Sequence, residues 1–241
     1  MRTALIISSW ILGIAAAVLL LAFEAVNEEK TKISAINIEL IQAKNQLFLN
    51  KEDIQELIEL QDDSLLFRSV NTINTALLEE SLLKHPFIAE AEVFSTLDGL
   101  FSVKVEQKQA IARVISTTKH YYLDAEGHPF PTTKTFSASV PVITGLSDST
   151  NLSNAYFVLN SINSISYFNG YLAEIHITSN REIELVPVQG NHRVLFGDTQ
   201  NASEKLNKLK VFYENVVTKQ NLNDWKTLNI AYNKLLVSTK Y

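Results

Sequence analysis

The chain has 241 residues, of which 46% are hydrophobic and 20% are charged, proportions that are ordinary for a protein with buried cores. Its formal net charge of −5 argues against a whole-protein role in nucleic-acid binding. The sequence contains no cysteine, which excludes thiolate catalysis, disulfides and cysteine-type zinc sites.

The N-terminal segment from Ala4 to Phe23 contains 20 residues without a charge. At about 1.5 Å per residue, a helix of this length spans roughly 30 Å, the thickness of a hydrocarbon core. A cleaved signal peptide fits less well, because the apolar run is longer than usual and no A-x-A site follows it. Arg2 precedes the segment, so residues 1–3 are expected in the cytoplasm and everything from about Asn27 onward outside. We predict a transmembrane helix over 4–23 and a linker over 24–32.

Residues 33–107 are predicted to form one domain with the element order β-α-α-β-β. Alternating apolar residues predict strands, and apolar residues at helical spacing predict two helices. The predicted elements are a strand over Ile33–Leu40, helices over Lys51–Leu60 and Asn71–Lys84, and strands over Ile88–Phe94 and Phe101–Glu106. Asn50 is a suitable N-cap for the first helix, and Pro86 ends the second.

Residues 108–241 are richer in strand signals, so the fold class of the whole chain is predicted to be α+β. Two amphipathic stretches predict helices over Asn154–Tyr167 and Ala202–Val217. The predicted strands are Ile111–Ser116, Tyr121–Leu123, Ile175–Ile177, Ile183–Leu185, Val194–Phe196 and Leu228–Tyr232. A turn at Asn233-Lys234 is then predicted to lead into a further apolar stretch, Leu235–Val237.

The sequence shows no constellation of residues typical of catalysis or cofactor binding. Its five histidines are scattered without an H-x-x-x-H pair, and it has no G-x-S-x-G or P-loop motif. Asp124 and Glu126 lie in a predicted turn that ends at Gly127, and turn chemistry explains both. We therefore predict that the chain is not an enzyme and has no metal, no cofactor, no small-molecule substrate and no nucleic-acid partner.

The order of elements and several phrases resemble the FtsQ/DivIB family of bacterial cell-division proteins. The phrases are His85-Pro86-Phe87-Ile88 followed by Ala91-x-Val93, Gln107–Val114, Tyr122-Leu123-Asp124-x-x-Gly127-x-x-Phe130-Pro131, and Val140-Pro141-x-Ile143-x-Gly145. The resemblance covers nearly the whole chain. It implies a POTRA domain over 33–107 and, over 108–241, a C-terminal β domain with an open sheet backed by helices.

The resemblance further implies that the final strand binds a partner of the FtsB/FtsL type by strand addition. Leu228-x-Ile230-x-Tyr232 resembles the family's corresponding strand, with Tyr232 at the place of an interface tyrosine. Lys240 stands where some members have a tryptophan, so an aromatic anchor is missing at this position. Tyr241 is a candidate to replace it. From the residues themselves, the edge could equally be covered. The predicted partner-binding residues are Tyr232, Leu235, Leu236, Val237, Ser238, Thr239, Lys240 and Arg181.

The region 201–241 has seven lysines against three acidic residues, a net charge of +4, which leaves −9 for the rest of the chain. Such an excess is typical of a solvated face, or it marks a surface for an acidic partner. The expected function is a scaffold of the division machinery, a single-pass protein of the bacterial inner membrane, with its bulk in the periplasm and concentrated at the septum. The alternatives are a POTRA-containing assembly factor for outer-membrane or secreted proteins and, disfavoured by its missing nucleophile and ligands, an anchored hydrolase.

Overall fold

The computed structural model describes residues 10, 13–19, 31–42, 45–61, 65–66, 68–96, 98–146, 149–216, 221–232 and 235–241. They form two compact units, which meet in sequence between Lys108 and Gln109. Among the described residues, none of the helices combines the length and the hydropathy of a membrane span. Most of the predicted membrane segment, its preceding tail, most of the linker and the predicted turn at Asn233-Lys234 lie outside the described residues.

The first unit is a three-stranded sheet with two helices. Its elements are β1 (Ala35–Ile41), α1 (Lys51–Gln61), α2 (Thr75–Leu83), β2 (Ile88–Ser95) and β3 (Leu100–Gln107), with a 3-10 turn over Val70–Thr72. The strand order is β1-β3-β2, in which β3 is parallel to β1 and antiparallel to β2. The β-α-α-β-β order predicted from the sequence is therefore confirmed.

Capping side chains determine where both helices of this unit begin. The Asn50 side chain accepts from the Asp53 N–H (2.8 Å), and the Asp53 carboxylate accepts from the Asn50 N–H (2.7 Å). The Asn74 side chain accepts from the Leu77 N–H at 3.1 Å, so α2 begins at Thr75. The predicted start at Asn71 is wrong, because the 3-10 turn and this cap precede the helix.

The second unit is a nine-stranded sheet with two longer helices. Its strands are β4 (Ala112–Ile115), β5 (His120–Leu123), β6 (Pro129–Pro131), β7 (Val142–Thr144), β8 (Leu172–Ile177), β9 (Ile183–Pro187), β10 (Arg193–Gly197), β11 (Trp225–Asn229) and β12 (Val237–Lys240). The helices are α3 (Ser149–Asn163) and α4 (Ala202–Val216), and 3-10 turns cover Ser166–Phe168 and Leu222–Asp224. The strand order is β12-β11-β10-β9-β8-β7-β4-β5-β6.

A row of paired, fully buried residues crosses the middle of this sheet. Its members are Val114, Ile143, Ile175, Leu185, Val194 and Leu228. They share one core with Val158 and Leu159 of α3 and with Leu206 and Leu209 of α4. Side chains alternate across a strand, so their neighbours line the opposite, helix-free face. The fold class is α+β, with helices on one face of an open sheet.

Candidate partner-binding site

The strand β12 lies at one end of the nine-stranded sheet, and among the described residues only β11 pairs with it. The pairing is antiparallel, with Trp225 opposite Lys240 and Thr227 opposite Thr239. An edge strand uses one side of its backbone for the sheet, so its second row of N–H and C=O groups faces away from β11. This is the kind of edge that an added strand completes.

Side chains reinforce the pairing of β12 with β11. The hydroxyls of Thr227 and Thr239 are 2.6 Å apart, within hydrogen-bond distance. The Lys240 ammonium lies 4.6 Å from the centre of the Trp225 ring, a cation–π distance. Lys240 thus covers a tryptophan of the neighbouring strand.

The hydrogen bonds of Tyr241 indicate which backbone groups of β12 face outward. Its N–H donates to the Asp224 carbonyl at 3.2 Å, and its hydroxyl donates to the Asn191 carbonyl at 3.2 Å. The register shifts by one residue between Trp225 and Thr227, so the extra residue lies in β11 and β12 itself is continuous. Backbone N–H groups alternate between the two sides of a continuous strand, so the Thr239 N–H points toward β11 as that of Tyr241 does. The Ser238 N–H therefore points away from the sheet.

Most of the predicted partner-binding residues lie at this edge. Val237, Ser238, Thr239 and Lys240 form β12 itself. Tyr232 and Leu235 precede the strand, and they are 57% and 62% exposed. Leu236 packs against the core of the unit, so it supports the sheet from inside.

The strand predicted over Leu228–Tyr232 is present, but its bounds are wrong, because β11 covers Trp225–Asn229. Strand β11 ends at Asn229, whose side-chain oxygen accepts from the Ala231 N–H at 3.0 Å and so turns the chain out of the sheet. Ile230 is nevertheless fully buried, and its N–H donates to the Leu195 carbonyl at 3.0 Å. The apolar alternation thus continues for one core residue after the strand has ended.

Arg181 lies apart from the other predicted residues. It occupies the turn between β8 and β9 with a φ of 65°, and its N–H donates to the Thr178 carbonyl at 2.9 Å. The step from β9 to β12 crosses three strand spacings, about 14 Å at roughly 4.8 Å each. The structure does not bring Arg181 and β12 together into one site.

Several of the C-terminal lysines make contacts within the chain. Lys205 is buried and its ammonium lies 2.7 Å from the Asp198 carboxylate, a hydrogen bond that lowers the pKa of Asp198. Lys210 lies 3.8 Å from the Glu214 carboxylate, and Lys240 covers an aromatic ring. The excess of lysine in this region is therefore partly structural, and it gives only weak support to an acidic partner.

The sequence did not reveal a polar cluster that strand pairing assembles on the helix-free face. The Thr144 hydroxyl donates to the Glu174 carboxylate and lies 2.8 Å from Nδ1 of His176. A hydroxyl has one proton, and that of Thr144 is directed to the carboxylate. The three side chains form a polar contact across the paired strands β7 and β8.

One group of described residues has metal-ligand types in close proximity. Ligand atoms of Asp124, Glu126 and His128 all lie within 4.8 Å of one another. The Asp124 side chain accepts from the His128 N–H at 2.7 Å, and its carbonyl accepts from the Gly127 N–H at 3.0 Å. These bonds close the turn between β5 and β6, so the turn itself explains why the three side chains are close.

His192 belongs to a buried hydrogen-bonded network that the sequence did not reveal. Its Nε2 lies 2.6 Å from the Tyr213 hydroxyl, which lies 2.7 Å from the Tyr171 hydroxyl. Burial lowers the pKa of His192 and raises the pKa values of Tyr171 and Tyr213. The three groups are therefore neutral near neutral pH, and they connect α4 to the residues that precede β8 and β10.

This network predicts a loss of stability in mild acid. The unfolded histidine takes up a proton as the pH falls through about 6.5, whereas folded His192 resists protonation, so the proton favours unfolding. Between about pH 7.5 and about pH 5.5, the free energy of unfolding should fall by more in the wild-type protein than in His192→Gln. The glutamine side chain takes up no proton in this range. Urea unfolding at both pH values measures the difference. Equal losses of free energy of unfolding in the two proteins would contradict a role of His192 in this loss of stability.

The two units together define a protein with a POTRA-like domain and a β domain that ends in an edge strand. A family described as "POTRA-like domain" matches residues 31–106, and one described as "FtsQ/DivIB, C-terminal related" matches residues 109–239, more than half of the chain. The chain belongs to the FtsQ/DivIB family of division proteins.

A curated relative supports this assignment. The cell division protein FtsQ of Geotalea daltonii is 29% identical over 112 residues, a match that covers 46% of this chain and 39% of the relative. The chain thus spans about two fifths of the length of this relative.

Proposed function

We propose that this chain is a non-catalytic scaffold of the bacterial division machinery and that β12 binds a partner of the FtsB/FtsL type by strand addition. Family membership supports the role in division. The position of β12 at the end of the sheet is the observation that supports strand addition, because an added strand would meet an outward-facing backbone edge there. The Ser238 N–H is one of the groups that such a strand would use.

Exposed apolar side chains next to the edge support the same proposal. Tyr232, Leu235 and Val237 are each about half exposed or more, and they lie within six residues of one another. Tyrosine is among the residue types that contribute most to the binding energy of interfaces, and apolar neighbours exclude water around it. A partner strand would gain affinity from the backbone ladder and specificity from pockets between these side chains.

We further propose that residues 4–23 anchor the chain in the inner membrane by a single span, with the N-terminus in the cytoplasm. The absence of charge over 20 residues supports this topology, as does Arg2 ahead of the segment. The described part of the segment, residues 10 and 13–19, is helical and exposes Trp10, Ile14, Val18 and Leu19. The POTRA-like unit would then lie in the periplasm and contribute contacts with further division proteins.

Depletion of the protein tests the cellular role. Loss of a division scaffold should give filamentous cells, and a fluorescent fusion should concentrate at the septum of dividing cells. Normal septation together with an outer-membrane defect would instead favour a POTRA-containing assembly factor. A uniform rim of fluorescence at every stage of the cell cycle would also contradict the proposal.

Removal of β12 tests the binding mode. The full chain should capture the FtsB/FtsL-type proteins of its own organism, and a chain that ends at Leu236 should not. The truncated chain keeps Tyr232 and Leu235, so a loss of capture would be attributable to the strand. Equal capture by both chains would contradict strand addition at β12.

A further inference from the structure

Lys208 of α4 binds the connection between β11 and β12. Its Nζ donates to the carbonyl oxygens of Ile230 (2.9 Å), Tyr232 and Leu235 (3.4 Å). An ammonium group has three N–H donors, and these three carbonyls match that number. One side chain thus holds both ends of the stretch that leads from the buried strand β11 to the edge strand.

The ammonium of Lys208 is bound by backbone carbonyls and by no carboxylate among the described residues. Burial lowers the pKa of Lys208, the nearby Lys205 lowers it further, and Glu204 offsets part of the shift. The side chain therefore occupies this position although its surroundings disfavour the charge. Charge-assisted hydrogen bonds to the three carbonyls compensate for the unfavourable environment.

The position of β12 depends on contacts outside its own ladder. The strand has four residues and, among the described residues, a ladder on one side only. Tyr241 holds its far end through the carbonyls of Asp224 and Asn191, and Lys208 holds the stretch before its near end. Lys208 lies on α4 close to Leu206 and Leu209, which are fully buried. Because these two residues hold the helix in the core, the backbone of Lys208 is fixed in position.

We propose that Lys208 is a positioning residue for partner binding: it holds Tyr232, Leu235 and the start of β12 in the geometry that a partner strand recognises. The proposal rests on the proposed function of β12. Ordering the edge before the partner arrives reduces the entropy lost on binding, which increases affinity. Lys208 itself need not touch the partner.

The test compares three substitutions in the full chain. Lys208→Met keeps much of the side-chain length but removes the donors, and it should weaken binding of the FtsB/FtsL-type partner by about 10-fold. Lys208→Arg keeps charge and donors and should restore most of the affinity. Lys210→Met is the matched control on the same helix, because Lys210 contacts Glu214 and not the connection; it should bind as the wild type does.

Amide hydrogen exchange distinguishes this role from a general loss of stability. In Lys208→Met, the Thr239 amide should exchange about 10-fold faster, while core amides such as that of Ile175 should keep the wild-type rate. Unchanged Thr239 exchange in Lys208→Met would overturn the proposal. If Lys208→Met binds normally while the chain ending at Leu236 does not bind, this inference fails and the proposed function stands. If both bind normally, the proposed function fails.

Discussion

A chain carrying Ser238→Pro should fold normally and lose most of its affinity for the partner. The Ser238 N–H points away from β11, so proline at this position removes no hydrogen bond from the sheet, and proline is tolerated on the outer side of an edge strand. An added strand, however, would lose a backbone donor and meet the proline ring. We expect binding to weaken by roughly 10- to 100-fold, the equivalent of one or two buried hydrogen bonds.

The matched control for this prediction is Ser238→Ala, which removes the hydroxyl and keeps the N–H. Both variants should unfold in urea within about 1 kcal/mol of the wild type, because Ser238 is only partly buried and lies on an edge strand. Titration of the FtsB/FtsL-type partner onto the full chain should then separate them, with Ser238→Ala close to the wild type. If the proline and alanine variants bind equally well, the partner does not use this backbone edge.

Gly145→Ala should destabilise the second unit by more than about 3 kcal/mol, a large share of the roughly 5–15 kcal/mol typical of folded proteins. Gly145 has a φ of 75°, which costs an L-residue with a side chain roughly 1–2 kcal/mol. A Cβ atom there would also lie 1.9 Å from the carbonyl oxygen of Ile177, so β7 and β8 would have to separate. Urea unfolding of residues 31–241 measures the loss.

Gly170→Ala is the control that separates backbone strain from the close contact. Gly170 has a φ of 69°, and a Cβ atom there would meet nothing within 4 Å. Its replacement should therefore cost only about 1–2 kcal/mol. A loss at Gly145 no larger than the loss at Gly170 would show that the approach to Ile177 is unimportant.

Local patterns were sufficient to predict the order of elements in the first unit, although not the start of α2. Apolar residues alternate along its strands, and the Asn50 cap marks the start of α1, all within a few residues in sequence. The same holds for α4, whose apolar spacing predicted a helix over nearly the observed range. Such signals act over one or two helical turns or a single hairpin, so they can be interpreted without knowledge of the tertiary fold.

The details of the binding edge depend on contacts between distant parts of the chain. Three strand pairs of the second unit are parallel, β4 with β7, β7 with β8 and β10 with β11, and no local turn signals such pairs. The end of β11 is determined by Asn229, whose side chain accepts from the Ala231 N–H, and burial of Ile230 depends on the distant strand β10. Lys208 contacts carbonyls 22 or more residues away, so nothing in the neighbouring sequence distinguishes it from a solvated lysine.

The most direct test of strand addition is the exchange rate of the Ser238 amide in the full chain, measured with and without a saturating FtsB/FtsL-type partner. The outward-facing N–H should exchange rapidly in the unbound protein and at least about 10-fold more slowly in the complex. In the complex, a backbone carbonyl of the partner would accept a hydrogen bond from this N–H. A saturated complex in which Ser238 exchanges as fast as before would show that the partner binds elsewhere.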